Sequence, residues 1–187
     1  MFKWYLIVIM LCIPVLGWVF LKPIRVLVPE TVGISCARSH ICIDDSSRID
    51  EAIVLYTEAL HYVENSLESI DSMPRMIFCA SSTCAQSFGL GKRSAVTVST
   101  FGIIIGPRAW EPHYLHHELI HYIQFDKLGT FKVWFSSPKW FTEGMAYYLS
   151  GDPRRQLVEP FESYRTKFAS WYQLIGRENL WTEAEKL

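Results

Sequence analysis

The string His117-Glu118-Leu119-Ile120-His121, followed downstream by Trp140-Phe141-Thr142-Glu143-Gly144, carries the parts of a metal-assisted hydrolytic centre. A helix turns about 100° per residue, so His117 and His121 lie about 40° apart on one face, one turn from each other. Both imidazoles then reach one ion. Glu118 falls about 100° from His117, on the flank of that face, where it suits a general base better than a ligand. Leu115, Leu119, Ile120, Tyr122 and Ile123 fill the opposite arc, so the helix buries that side and presents its histidines on the other. With Glu143 as third ligand, a fourth position stays open for water. A structural zinc would more naturally close a four-ligand site with cysteines, so the expectation is one catalytic Zn2+ per chain.

Glu143 needs an element of its own. Ser137-Pro138 reads as an N-cap followed by proline at the first helical position, opening a helix over residues 140–149. Gly144 and Ala146 are small, which lets that helix approach the first closely enough for a carboxylate to span to the same ion. Alone, a His-Glu-x-x-His string would arise by chance in about one chain in a hundred of this length; the second segment is what gives it weight. Residues 117–124 follow the pattern His-Glu-(apolar)-x-His-Tyr-x-Gln, and residues 140–146 follow Trp-Phe-x-Glu-Gly-(apolar)-Ala. Over residues 94–150 the chain thereby resembles the gluzincin metallopeptidases, the thermolysin-like zincin clan, and within it a small bacterial branch. The resemblance implies zinc held by His117, His121 and Glu143, with Glu118 as base and later proton donor to a leaving amine, acting on a peptide or protein substrate. It also implies a zincin-like α+β fold. That fold has a small, mostly antiparallel sheet, a helix bearing the two histidines and a following helix bearing the third ligand. In that clan the strand nearest the active-site helix pairs with extended substrate backbone, and residues 95–105 are the matching region.

The chain departs from the clan in one part. Thermolysin-like enzymes present a histidine downstream of the third ligand to stabilise the oxyanion, whereas His121 is the last histidine here. A tyrosine has to take that role. Tyr147, one turn after Glu143, ranks first, with Tyr148, Tyr164 and Tyr172 as further options. Tyr147 also stands where such enzymes often carry a carboxylate that orients a zinc-bound histidine, which leaves Asp126 as the expected support. His113 reads as a first-turn polar residue beside Pro112, or else as a cleft-lining group or competing ligand. Three nitrogens on one helix converge poorly over two turns, which keeps Glu143 ahead. His116 falls among Ile120 and Ile123 and reads as a core histidine.

The elements that must position these groups are legible on either side. Ser47-x-x-Asp50 resembles a capping box at the start of a helix whose Ile49, Ile53, Tyr56, Leu60, Val63, Leu67 and Ile70 repeat at helical spacing and stop before Pro74. Residues 76–80, 95–99 and 102–105 read as short strands. A helix over 158–175 carries Phe161, Tyr164, Phe168, Trp171 and Tyr172 on a stripe that reads as core, with Glu159-Pro160 at its start and Gly176 at its end.

A length of 187 residues, a net charge of -1 and a half-hydrophobic composition allow one compact domain, residues 26–187, and an apolar appendage, residues 1–25. No basic tract, phosphate loop or repeat occurs, so nucleic acid is not an expected partner. Residues 4–21 are uncharged and long enough to span a bilayer as an N-terminal hydrophobic helix, or to serve as a signal peptide. Trp18, Val19, Phe20 and Leu21 continue the apolar run past Gly17, which suits an uncleaved membrane anchor. The expected arrangement holds the catalytic domain outside the cytoplasm, with secretion after cleavage as the alternative. Cys36, Cys42, Cys79 and Cys84 form two closely spaced pairs, whose simplest connectivity is Cys36–Cys42 and Cys79–Cys84 in an oxidising space. A second metal site and free buried thiols compete with that reading. Two rival functions stand beside the peptidase: a non-catalytic, membrane-tethered zincin-fold binding domain, and a metal-dependent hydrolase of a non-peptide bond.

Overall fold

The computed structural model describes residues 22–187 except Ser39, and its architecture is α+β. Met76–Phe78 (β3) and Gly102–Ile105 (β5) are wholly buried, as uninterrupted apolar runs should be when both faces of a strand are covered. They run parallel to each other, and Ile41–Ile43 (β2) lies parallel on the far side of β3. Ser35–Arg38 (β1) closes one side of the sheet antiparallel to β2, and Ala95–Val98 (β4) closes the other antiparallel to β5, giving the order β1-β2-β3-β5-β4. The sheet is therefore mixed, not mostly antiparallel. A helix returns the chain from β2 to the start of β3, and β4 with its hairpin turn returns it from the end of β3 to the start of β5, so both of these pairings are parallel. β1 and β2 escaped sequence reading because Ser35-Cys36-Ala37-Arg38 has no apolar run and Ile41-Cys42-Ile43 stands out only for its cysteine.

Alternation across the pleat divides the core. Met76, Phe78, Ile103 and Ile105 point into a large cluster under the helices, whereas Ile77, Ile104 and Cys42 join Val26, Ile34, Phe88 and Leu90 on the opposite face. Both expected disulfides are formed. Cys36–Cys42 joins directly opposed residues of β1 and β2, and Cys79–Cys84 ties the end of β3 to the short helix α2, Ser82–Ser87.

Helix α1, Ile49–Ser66, packs Ala52, Tyr56, Ala59 and Val63 on the sheet. Its capping box does not form. Ser47 instead donates its N–H and hydroxyl to Asp45, which caps a 3-10 turn ahead of the helix. The helix also stops before Ile70: its last bond runs from the Leu67 N–H to the Val63 carbonyl, the Ile70 N–H turns to the Glu64 carboxylate, and Arg177 donates to the Leu67 carbonyl. Helix α3, Pro112–Leu128, starts with proline in its first turn and ends at Gly129, whose φ of 80° suits glycine. After Thr130–Phe135 (α4) comes α5, Lys139–Leu149, which contains the expected 140–149. Pro138 occupies the N-cap position, and the Ser137 hydroxyl is buried without forming the expected cap. Helix α6, Phe161–Ile175, lies against α5 through Phe141, Phe168, Trp140 and Trp171, and α7, Leu180–Ala184, closes the chain. A Cβ on Gly144 would sit 2.3 Å from the Tyr164 carbonyl oxygen. The small residue thus admits α6, on the side away from the helix that the sequence reading had in view.

Residues 4–21, read as an anchor, lie outside the described residues. Among the described residues no helix is long and apolar enough to cross a membrane. The folded body already includes the 3-10 turns of Lys22–Leu27, with Val26 fully buried.

Candidate metal centre

The cleft of about 660 Å³ has α3 as its floor, β4 as one wall, and α5 with the following loop as the other. Three of its side chains converge. His117 Nε2 and His121 Nε2 are 3.2 Å apart, and Glu143 Oε2 lies 3.8 and 3.7 Å from them. Zinc–donor lengths of about 2.0–2.2 Å in a tetrahedral shell place donor atoms about 3.3–3.6 Å apart, so these separations need only tenths of an ångström of adjustment. His117, His121 and Glu143 could hold a metal ion, and among the described residues no fourth histidine, cysteine or carboxylate joins them.

The tautomer of His121 follows from its neighbours. Gln124 donates its Nε2–H to the Thr142 carbonyl (2.9 Å), so its Oε1 accepts from His121 Nδ1–H (2.9 Å). His121 Nε2 is therefore the nitrogen that faces the other two donors, and it can ligate once its proton leaves. Gln124 is completely buried and ties α3 to the residue before Glu143. It performs the task that the sequence reading gave to Asp126, which is exposed at the end of α3.

Electrostatics mark the centre as a place for positive charge. Burial opposes a charge on His121, but the Glu143 carboxylate outweighs it and lifts the imidazole to about 9. Burial, reinforced by the neighbouring His121, leaves His117 neutral down to about 3. Burial would raise Glu143, yet His121 and His117 bring it down to about 2. In effect one proton sits where a cation would.

Glu118 stands apart from this set. Burial raises its carboxyl above the ordinary range, and Thr97 Oγ1 on β4 lies 2.7 Å from its Oε2 and 2.8 Å from its backbone carbonyl. Thr97 has one hydroxyl proton for these two acceptors, and donated to Oε2 it favours the ionised carboxyl against the larger effect of burial. Tyr147 enters the cleft with its ring edge-on to His117, centroids 4.5 Å apart. Tyr148 and Tyr172 instead pack on Phe168, and Tyr164 backs Gly144. His113 lines the cleft, 3.8 Å from Glu111, outside the donor group. His116 is a core residue as expected, stacked on Tyr62 with its Nδ1 2.8 Å from the Ser150 carbonyl oxygen and its charged form disfavoured by burial.

Sequence reasoning missed four neighbours of the centre. Thr97 was hidden in an ordinary strand alternation, and Gln124 belonged to the quoted pattern without a role. Asp152 and Arg154 flank a proline in what reads only as a turn. In the structure their side chains pair over the cleft, with the Arg154 guanidinium 5.7 Å from the Tyr147 ring. Comparison with protein-family models, with curated proteins and with solved structures finds no match to this chain.

Proposed function

We propose that this chain is a zinc-dependent peptidase of the gluzincin type with a zincin-like fold. The observation that carries the reading is the convergence of two imidazoles and a carboxylate beside a buried carboxyl, Glu118, that is not one of the three donors. Zinc, when bound, polarises a carbonyl and lowers the pKa of water towards ~7. Glu118 removes a proton as water attacks the substrate carbonyl, and returns it to the amine as the C–N bond breaks. Thr97 holds that carboxyl in place, and the Tyr147 hydroxyl donates to the developing oxyanion. The outer edge of β4 supplies backbone groups for an extended peptide. Two disulfides fit an oxidising compartment. With residues 4–21 as an anchor, the catalytic domain works outside the cytoplasm.

The test uses the purified full chain and a peptide library. Glu118→Gln should keep one zinc per chain and lose turnover, while His121→Ala and Glu143→Ala should each lose zinc. Hydrolysis retained in Glu118→Gln would overturn the base assignment. Zinc without turnover in the wild type would instead support a membrane-tethered binding domain.

A further inference from the structure

The cleft around the candidate metal centre is unevenly charged. Four cationic side chains line it, Lys92, Arg93, Lys139 and Arg154, against three carboxylates, Glu118, Glu143 and Asp152. Glu118 and Glu143 belong to the centre itself, where a divalent ion, when bound, matches their charge. Asp152 is already paired with the Arg154 guanidinium through both of its oxygens. Lys92, Arg93 and Lys139 are left over. Among the described residues none of these three forms an ion pair: Arg93 donates to the neutral carbonyls of Gly89 and Leu90, and Lys139 stands one turn ahead of Glu143 without pairing with it. The excess is local, since the whole chain carries a net charge of -1.

The three cations fall on both sides of the centre. Thr97 on β4 meets Glu118, and two residues later Ser99 meets Thr130, just past the end of α3, so β4 and α3 run in the same direction. Lys92 and Arg93, ahead of β4, therefore lie toward the start of α3. Helix α5 runs the opposite way, because Tyr147 packs on His117 whereas the Thr142 carbonyl accepts from Gln124. Its first residue, Lys139, therefore lies toward the end of α3. An extended peptide along the edge of β4 passes Glu118 near its middle and meets unpaired positive charge at each end. A cleft lined by one sign of charge focuses its field and draws in ligands of the opposite sign.

We propose that the peptide taken by this cleft is acidic, with Asp or Glu side chains on both sides of the bond that lies beside Glu118. Acids on one side face Lys92 and Arg93, and those on the other face Lys139. Side chains are the ligand in preference to a terminal carboxylate, because a chain terminus supplies a carboxylate at one end of the cleft and the cations stand at both. The inference rests on the peptidase reading for cleavage, but its binding arm is independent of turnover. Exposed ion pairs are individually weak, about 1.4- to 5-fold in affinity each, so two of them give the acidic peptide an advantage of about 2- to 25-fold.

The test measures fluorescence anisotropy on the zinc-loaded, full-length Glu118→Gln chain in nonionic detergent. The probes are end-blocked, rhodamine-labelled peptides of one sequence, with Glu, Gln or Lys on both sides of a central apolar pair. The Glu peptide should bind at least twofold more tightly than the Gln peptide, and the Lys peptide least. That advantage should vanish in 1 M salt, where the Debye length is about 3 Å. Lys92→Gln and Lys139→Gln should each lower the Glu-to-Gln affinity ratio by about 1.4- to 5-fold. Lys127→Gln, outside the cleft where Lys127 pairs with Glu68, makes the same change in net charge and should leave the ratio alone. Equal binding of the Glu and Gln peptides would overturn the inference, as would no binding of any peptide. An equal fall of the ratio in Lys127→Gln would overturn it too, by showing a general effect of net charge. Wild-type chain that binds the Glu peptide more tightly but cleaves none of the three would sink the peptidase reading and leave the charge preference standing.

Discussion

Gln124→Leu removes both hydrogen bonds that join His121 to the backbone beside Glu143. It leaves the His121 Nδ1–H without its partner beside a fully buried position, and the Thr142 carbonyl with its helical bond alone. An unpaired buried group costs roughly 1–3 kcal/mol, the scale expected for the His121 Nδ1–H, and the leucine side chain recovers part of it. The effect on metal is separate. A partner that orients a ligating histidine is worth about 10–100-fold in affinity, or about 1.4–2.8 kcal/mol. Gln124→Glu separates the two roles, because a carboxylate still accepts from His121 Nδ1–H but donates nothing to Thr142. Urea unfolding of the metal-free proteins should show both variants destabilised, leucine the more. Zinc titration against a competing chelator should show 10–100-fold weaker binding for leucine only. Equal affinity in wild type and Gln124→Leu, with the destabilisation present, would refute the claim that Gln124 orients the ligand.

Other outcomes follow from the same geometry. Thr97→Val removes a hydrogen bond that favours the ionised form of Glu118, so its pKa rises further; since the base works ionised, the acid limb of the kcat/KM profile should move to higher pH, and an unmoved limb would count against the contact. Gly144→Ala places a methyl 2.3 Å from the Tyr164 oxygen, forcing α5 and α6 apart at about 1–3 kcal/mol, seen as a fall of about 2–12 °C in Tm. Replacing either disulfide by a serine pair opens a loop of five or six residues and should lose about 2 kcal/mol on the loop-entropy scale; a melting curve unchanged by reductant would contradict that.

The convergence of His117, His121 and Glu143 was legible because helical spacing settles the first two and a second helix start accounts for the third. The disulfides were legible for a related reason, since short separations leave few alternatives. Other features depend on long-range contacts that no local pattern records. Parallel pairing of β3 with β5 depends on β4 carrying the chain back along the sheet before β5 begins, and the role of Gly144 depends on a helix twenty residues further on. The failed capping box at Ser47 shows local competition, because Asp45 reaches the same N–H first. Gln124 and Asp126 differ only by two positions on α3, yet one faces the donor group and the other faces water.

Strand β4 has a consequence beyond the cleft it walls. A sheet that stops at an open edge offers its unpaired N–H and C=O groups to any extended chain, including another copy of itself. Here that edge is only four residues long, and the exposed Lys92 and Arg93 stand just ahead of it. Two copies meeting edge to edge would bring those cations into the same assembly along a short ladder, whereas a single peptide brings no such repulsion. The edge is thus kept open to one strand while self-assembly into longer sheets is discouraged.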